Sequence, residues 1–313
     1  MNRRIFIKKS SLGILGIGLL PQFAFSEEQK KEDLFFKISL AEWSLHRTLQ
    51  SGKMTNLDFP AKARKAFDLD AVEYVNQFFA DKAKDIAYLK DLKTRCDDNG
   101  VKSQLIMIDN EGHLSANSQT ERNEAVENHK KWVDASKFLG CHSIRINLHG
   151  EGNEQEWKAA SIDGLGKLAE YGAKNQINVI VENHGQWSSK GYLVADVLKQ
   201  IDNKWCGSLP DFGNFCVRRR DGDLWESPCV ETYDAYKGVD EMMPFAKGVS
   251  AKTFGFLADG NDNRTDFSKM LAIVKKHNYK GYIGIEYEGE DQNEDEGIRK
   301  TIALLKKVGS QLK

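Results

Sequence analysis

The sequence predicts a closed (β/α)8 TIM barrel in a single α/β domain, on three observations. Short β-rich runs alternate with longer helical patterns along the chain, and the runs number eight. The length of 313 residues, less an N-terminal leader, suits one barrel of about 250 residues with modest insertions. An open doubly wound sheet is the architectural alternative, but it would want a Gly-rich phosphate turn after the first strand. None is present, and eight β-units favour closure.

The elements follow in order. Residues 1–26 read as a leader: Arg3-Arg4-Ile5-Phe6-Ile7-Lys8 is a twin-arginine pattern, Leu12 to Leu20 is a short apolar core, and Ala24 and Ser26 form a small-x-small cleavage site. That core falls short of the about 20 apolar residues that span a bilayer. The mature chain is therefore expected to begin near Glu27, in the periplasm or otherwise exported, with 27–313 as the barrel and no stable membrane anchor. Strands are expected at Phe36 to Leu45, Ala71 to Phe78, Lys102 to Asp109, Ser143 to His149, Asn178 to Asn183, Gly207 to Phe212, Gly248 to Phe254 and Tyr282 to Glu288. Helical spacing marks Asp81 to Asn99, Glu121 to Leu139, Trp157 to Asn175, Leu193 to Ile201 and Asp266 to His277. Asn99-Gly100 and Leu139-Gly140 supply helix ends that tolerate left-handed backbone. The acidic run Glu288 to Glu296 reads as a solvated loop opening the last helix.

Lys plus Arg (45) nearly balances Asp plus Glu (46), so no global field favours nucleic acid or an anionic membrane surface, and the expected partner is a small molecule. Five cysteines, Cys96, Cys141, Cys206, Cys216 and Cys229, form no CxxC pair, which argues against a zinc cluster. Free core thiols are the favoured reading, with Cys216 and Cys229 the one pair placed to bridge a loop in an exported protein.

In a barrel of this kind chemistry sits at the C-terminal ends of the strands, and there acids converge. Strand two offers Glu73, strand five Glu182 and then His184, strand six Asp211, strand eight Glu286 and then Glu288. A carboxylate inside an apolar run such as Val179-Ile180-Val181-Glu182 or Ile283-Gly284-Ile285-Glu286 is costly to bury without a partner. Three facing one space would repel by about 4 kcal/mol per pair at an effective dielectric near 20. A divalent cation, a protonated carboxyl, or a basic side chain such as Lys252 or Arg145 has to compensate. His184 shares a face with Glu182 and is placed for a substrate hydroxyl, as are Arg145, Asn147 and His149 at the end of strand four. Trp187 is among the aromatics near strand ends that stack on sugar rings, and Arg218-Arg219-Arg220 with Trp225 reads as a solvated loop after strand six.

Val181-Glu182-Asn183-His184-Gly185, Leu209-Pro210-Asp211-Phe212-Gly213-Asn214 and Ile283-Gly284-Ile285-Glu286-Tyr287 resemble strands five, six and eight of the xylose isomerase-like TIM-barrel family of sugar and sugar-phosphate isomerases and epimerases. The resemblance implies a divalent metal held by Glu182, Asp211 and Glu286, with the two glutamates on opposite faces of the substrate. The family's strand-seven histidine does not carry over: Ser250-Ala251-Lys252 stands there, so a hydroxyl replaces the imidazole. Oxygen ligands favour Mg or Mn over Zn, with Asn214, His184 or water completing the shell, or Lys252 taking the ion's place.

Glu182 and Glu286 are thus expected as an acid/base pair with Lys252 as electrostatic support, moving a proton beside the carbonyl of a non-phosphorylated sugar. A lyase acting on 3-keto-glycosides by proton abstraction and elimination is the alternative, and a non-catalytic sugar-binding barrel the reading from another class.

Overall fold

The structure, a computed structural model, describes residues 34–312, and the expected leader at 1–26 lies outside them. Six parallel strands come first: β1 (Lys37–Ala41), β2 (Ala71–Val75), β3 (Lys102–Met107), β4 (Ser143–Ile146), β5 (Asn178–Glu182) and β6 (Cys206–Leu209). An antiparallel hairpin, β7 (Cys216–Arg219) and β8 (Cys229–Thr232), interrupts the series before β9 (Val249–Thr253) and β10 (Tyr282–Tyr287) complete eight parallel strands. The helices are α1 (His46–Gln50), α2 (Phe59–Phe67), α3 (Ile86–Asp98), α4 (Gln119–Leu139), α5 (Glu154–Asn175), α6 (Gly191–Ile201), α7 (Ala235–Met242), α8 (Phe267–Lys276) and α9 (Glu294–Gln311). The left-handed helix ends fall where expected, with φ of 60° at Gly100 and 80° at Gly140. No helix among the described residues is long and apolar enough to cross a membrane.

Strand periodicity divides the core in two. Val72 and Tyr74, Ile144 and Ile146, Val179 and Val181, and Ile283 and Ile285 belong to the layer between sheet and helices. Their alternates on the other face, Val75, Leu105, Met107, Ile180 and Leu209, form a separate inner cluster. Glu182, Lys252 and Glu286 continue that inner face at the strands' C-terminal ends, above the apolar plug.

The ladder runs β6-β5-β4-β3-β2-β1-β10-β9, so the first strand pairs with the last, Lys37 beside Tyr282. Its edges, β6 and β9, meet only through isolated bridges at Ser208–Ala246 and Asp211–Ser250. Across that seam Lys247 N donates to Ser208 O (2.9 Å), Ser250 N to Pro210 O (2.9 Å) and Phe212 N to Ser250 O (3.1 Å). The expected closed ring is therefore corrected to an eight-stranded sheet open as a ladder between β6 and β9. Pro210 supplies a physical reason, since it has no N–H to donate across the seam and β6 ends just before it.

Two further features depart from the sequence reading. The segment read as one long loop after β6 contains the hairpin and α7, whose four-residue, largely polar strands carry no inward apolar face to announce them. Cys216 and Cys229 are joined by a disulfide, correcting the preference for free thiols, while Cys96, Cys141 and Cys206 are free and buried. Antiparallel pairing brings the two Cα atoms to 5.9 Å, within bridging range.

Candidate active site

Above the apolar plug lies a cavity of about 1200 Å³. Its floor is built from paired charges. Lys252 Nζ, on β9, sits 3.0 Å from Glu286 Oε1 and 3.1 Å from Glu288 Oε1, both from the end of β10, and donates to Asn214 Oδ1 at 3.2 Å. Ser250, two residues earlier on the same face, donates its hydroxyl to Glu286 Oε2 at 3.1 Å. Arg145 Nε, on β4, lies 2.7 Å from Glu182 Oε2, an ion pair without hydrogen-bond alignment. Asn214 Nδ2 donates to Glu182 Oε1 at 3.0 Å, so this one amide bridges Glu182 and Lys252.

Glu182, Asp211 and Glu286 each offer an oxygen within 4.8 Å of the others, the one such cluster of acids, cysteines and histidines among the described residues. All three are buried, and of the three only Glu286 lines the cavity. Glu182 and Asp211 lie beneath the floor. Asp211 Oδ1 accepts from the backbone N–H groups of Gly213 (2.8 Å) and Asn214 (2.9 Å), while its Oδ2 has no hydrogen-bond partner among the described residues. The loop that carries Asn214 is pinned by buried Asn183, which donates to Asp211 O and Asn214 O and accepts from Asp211 N.

One wall is a chain of hydrogen bonds with a fixed sense. Asp109 Oδ1 accepts from Arg145 Nη1 (2.8 Å) and Asn147 Nδ2 (2.7 Å). That turns Asn147 Oδ1 toward His184 Nδ1 at 2.9 Å, so the His184 proton is assigned to Nδ1 and Nε2 is left as an acceptor. His149 Nε2 donates to His184 O at 2.7 Å.

Electrostatics separates these groups. Burial, opposed by Arg145, pushes the Glu182 carboxyl well above the usual carboxylate range. Burial also lifts Asp211 to about 7, against the pull of Lys252. Burial would raise Asp109 as well, but the Arg145 guanidinium outweighs it and holds that carboxyl low. Lys252 is raised despite its burial, chiefly by Glu286 and Glu288. Burial and the nearby Arg145 and Lys252 charges lower His184 well below its ordinary value, so it is neutral.

Of the residues expected from sequence, Arg145, Asn147, His149, His184, Asn214, Lys252 and Glu286 line the cavity together. Glu73 does not. It lies deeper, accepting from Ser39 Oγ at 2.5 Å, with its other oxygen over Gly284, where a Cβ would stand 2.5 Å away. Burial raises its carboxyl to about 7. Trp187 also falls outside the lining: its indole donates to Gly152 O and Lys190 stacks on its ring. Sequence reasoning missed Asp109, whose only signal was its place at the end of strand three, and Trp225, which the hairpin carries over the cavity.

A parallel α/β barrel-type sheet with buried acids and bases gathered at its strand ends is the class these features define. The chain belongs to the Xylose isomerase-like TIM barrel family, which matches residues 61–308. No curated protein matches the chain. Among solved structures it is similar to D-psicose 3-epimerase in the presence of D-fructose, at 13% identity and TM-score 0.66 over 88% of this chain and 100% of that one. It is similar to 3-keto-D-glucoside 4-epimerase from E. coli in its apo form, at 12% and 0.63 over 87% and 99%. The IOLI protein with a bound zinc atom stands at 14% and 0.65 over 88% and 99%. At such identities the likeness shows the fold.

Proposed function

We propose that this protein is an exported sugar isomerase or epimerase that moves a proton beside the carbonyl of a non-phosphorylated sugar. The observation that carries the reading is the buried acid pair, in which each glutamate has its own cation. Glu286, opening on the cavity and held by Lys252 and Ser250, has the contacts of a carboxylate and is the base. Glu182, whose carboxyl burial raises against the pull of Arg145, is assigned the role of acid. Lys252 is placed to support negative charge developing on the substrate oxygen. Asn214 stands between Glu182 and the cavity, so proton return through Glu182 requires that amide to turn aside. Arg145, Asn147 and His184 orient the hydroxyls of the reacting sugar. The family and the sugar epimerases of the same fold support this reading.

The acid cluster fits a hard divalent cation, since Asp211 Oδ2 lacks a hydrogen-bond partner and Glu182 Oε2 has no aligned one. Glu182, Asp211 and Glu286 would hold Mn or Mg, which would polarise the sugar carbonyl.

One observation favours a second reading. Only one of the two glutamates lines the cavity, and elimination from a 3-keto-glycoside needs a single base beside the carbonyl. Proton NMR in D2O separates the two, with free ketoses and 3-keto-glycosides, with and without Mn or Mg. Deuterium entering beside the carbonyl with the carbon skeleton retained, and falling by about 10²- to 10⁴-fold in Glu286→Gln, is the expected result. Release of the aglycone would establish the lyase. Sugar binding without exchange would leave a binding protein.

A further inference from the structure

The cavity is larger than the roughly 300–1,000 Å³ of ordinary small-molecule sites, and the paired charges occupy only its floor. Trp225 lines the same cavity from the loop between β7 and β8. Its ring lies 4.5 Å from that of His184 and 5.8 Å from that of His149, and the side chain remains 46% exposed. That much open indole is unusual for a residue held so firmly. The Cys216–Cys229 disulfide closes the loop. Inside it, Arg219 donates to Leu224 O (2.8 Å) and Ser227 O (2.6 Å), on either side of Trp225, and Asp223 Oδ1 accepts from the N–H groups of Glu226 (2.6 Å) and Ser227 (3.1 Å). Gly185, whose φ of +90° suits glycine, lies under the indole, with its Cβ position in ordinary contact at 3.6 Å from the ring. Anchored on the cavity wall and half open, the indole presents a flat apolar face to the cavity. Next to it, His149 and His113, with rings 6.0 Å apart, offer polar atoms to hydroxyls.

We infer that Trp225, with His149 and His113, forms a second sugar-ring subsite, so that the substrate class is a glycoside of two joined sugar rings. One ring lies over Glu286 and Lys252, and the other stacks on the indole of Trp225. This deepens the isomerase or epimerase reading and rests on it for the placement of the first ring. The floor accounts for the reacting carbon, and the pinned hairpin accounts for what is attached to it.

The test is calorimetric binding of a panel of disaccharides (maltose, cellobiose, lactose, trehalose) beside methyl α- and β-glucopyranosides, on the disulfide-intact protein, on Trp225→Ala and on Trp225→Phe. At least one disaccharide binds the native protein about tenfold more tightly than either methyl glycoside. Trp225→Ala loses that margin while its methyl glycoside affinity stays put, and Trp225→Phe keeps most of it. If no disaccharide outbinds the methyl glycosides, or if Trp225→Ala weakens both kinds alike, the subsite is wrong. A two-ring margin that persists while no substrate exchanges deuterium would overturn the proton-transfer reading and leave the subsite standing.

Discussion

Glu73 and Asp211 are buried acids with a raised carboxyl, and they give the protein a pH signature independent of any substrate. Each is held near 7 in the fold, above its ordinary value, so between about pH 4 and 7 the folded state binds more protons than the unfolded one. Stability then falls as pH rises through that window and levels off above it. Glu73→Gln mimics the protonated form. It is expected to match the native protein near pH 4, and to exceed it at pH 8 by on the order of 2–3 kcal/mol in urea titrations. The slope is reduced rather than abolished, because Asp211 acts in the same sense. At Ser250 the expected change is one of metal preference. Ser250→His restores an imidazole beside Glu286 and should give a larger rise in Tm with zinc than with magnesium, the native protein showing the reverse order. Equal responses of the two proteins would remove residue 250 from the metal question. Both residues were visible in sequence, Glu73 by its place in a strand and Ser250 by its departure from the family pattern. Their depth was not, because period two tells which face a side chain takes and nothing of how far up the barrel it sits.

The strands were legible as elements because each buries both faces, leaving apolar runs that the polar loops punctuate. The hairpin was not, since four-residue strands facing solvent have no such run. That difference carries an energetic consequence. The Cys216–Cys229 bridge closes a short loop outside the inner and outer cores, so it constrains the hairpin rather than the barrel. Cys216→Ser/Cys229→Ser should leave the main thermal transition within about 2 °C of the native one, while limited proteolysis cuts between residues 216 and 229 much faster. A large drop in the main transition would show that the hairpin is part of the cooperative unit. The polar wall was half legible. Arg145, Asn147 and His184 stand at strand ends, as does Asp109, but its part in orienting the Asn147–His184 hydrogen bond shows only when β3 and β4 are laid side by side.

For the whole molecule, the sequence's strongest reading beyond the fold was its leader, and the balanced charge said only that no global field selects a partner. Export is checked by sequencing the N-terminus of the protein recovered from the periplasm of its host. A start near Glu27 is expected; because phosphorylated sugars are mainly intracellular metabolites, a chain beginning at Met1 in the cytoplasm would remove the reason for expecting a non-phosphorylated substrate. The pairing of β1 with β10 adds a constraint in time. A ribosome makes β1 first and its partner last, 245 residues later in the Lys37–Tyr282 register. Throughout synthesis one edge of the first strand therefore faces water with open amides and carbonyls, a template for any stray strand nearby. The site needs β10 for Glu286 and Glu288, so no fragment released early can be active, and the nascent chain is inert until its final strand arrives.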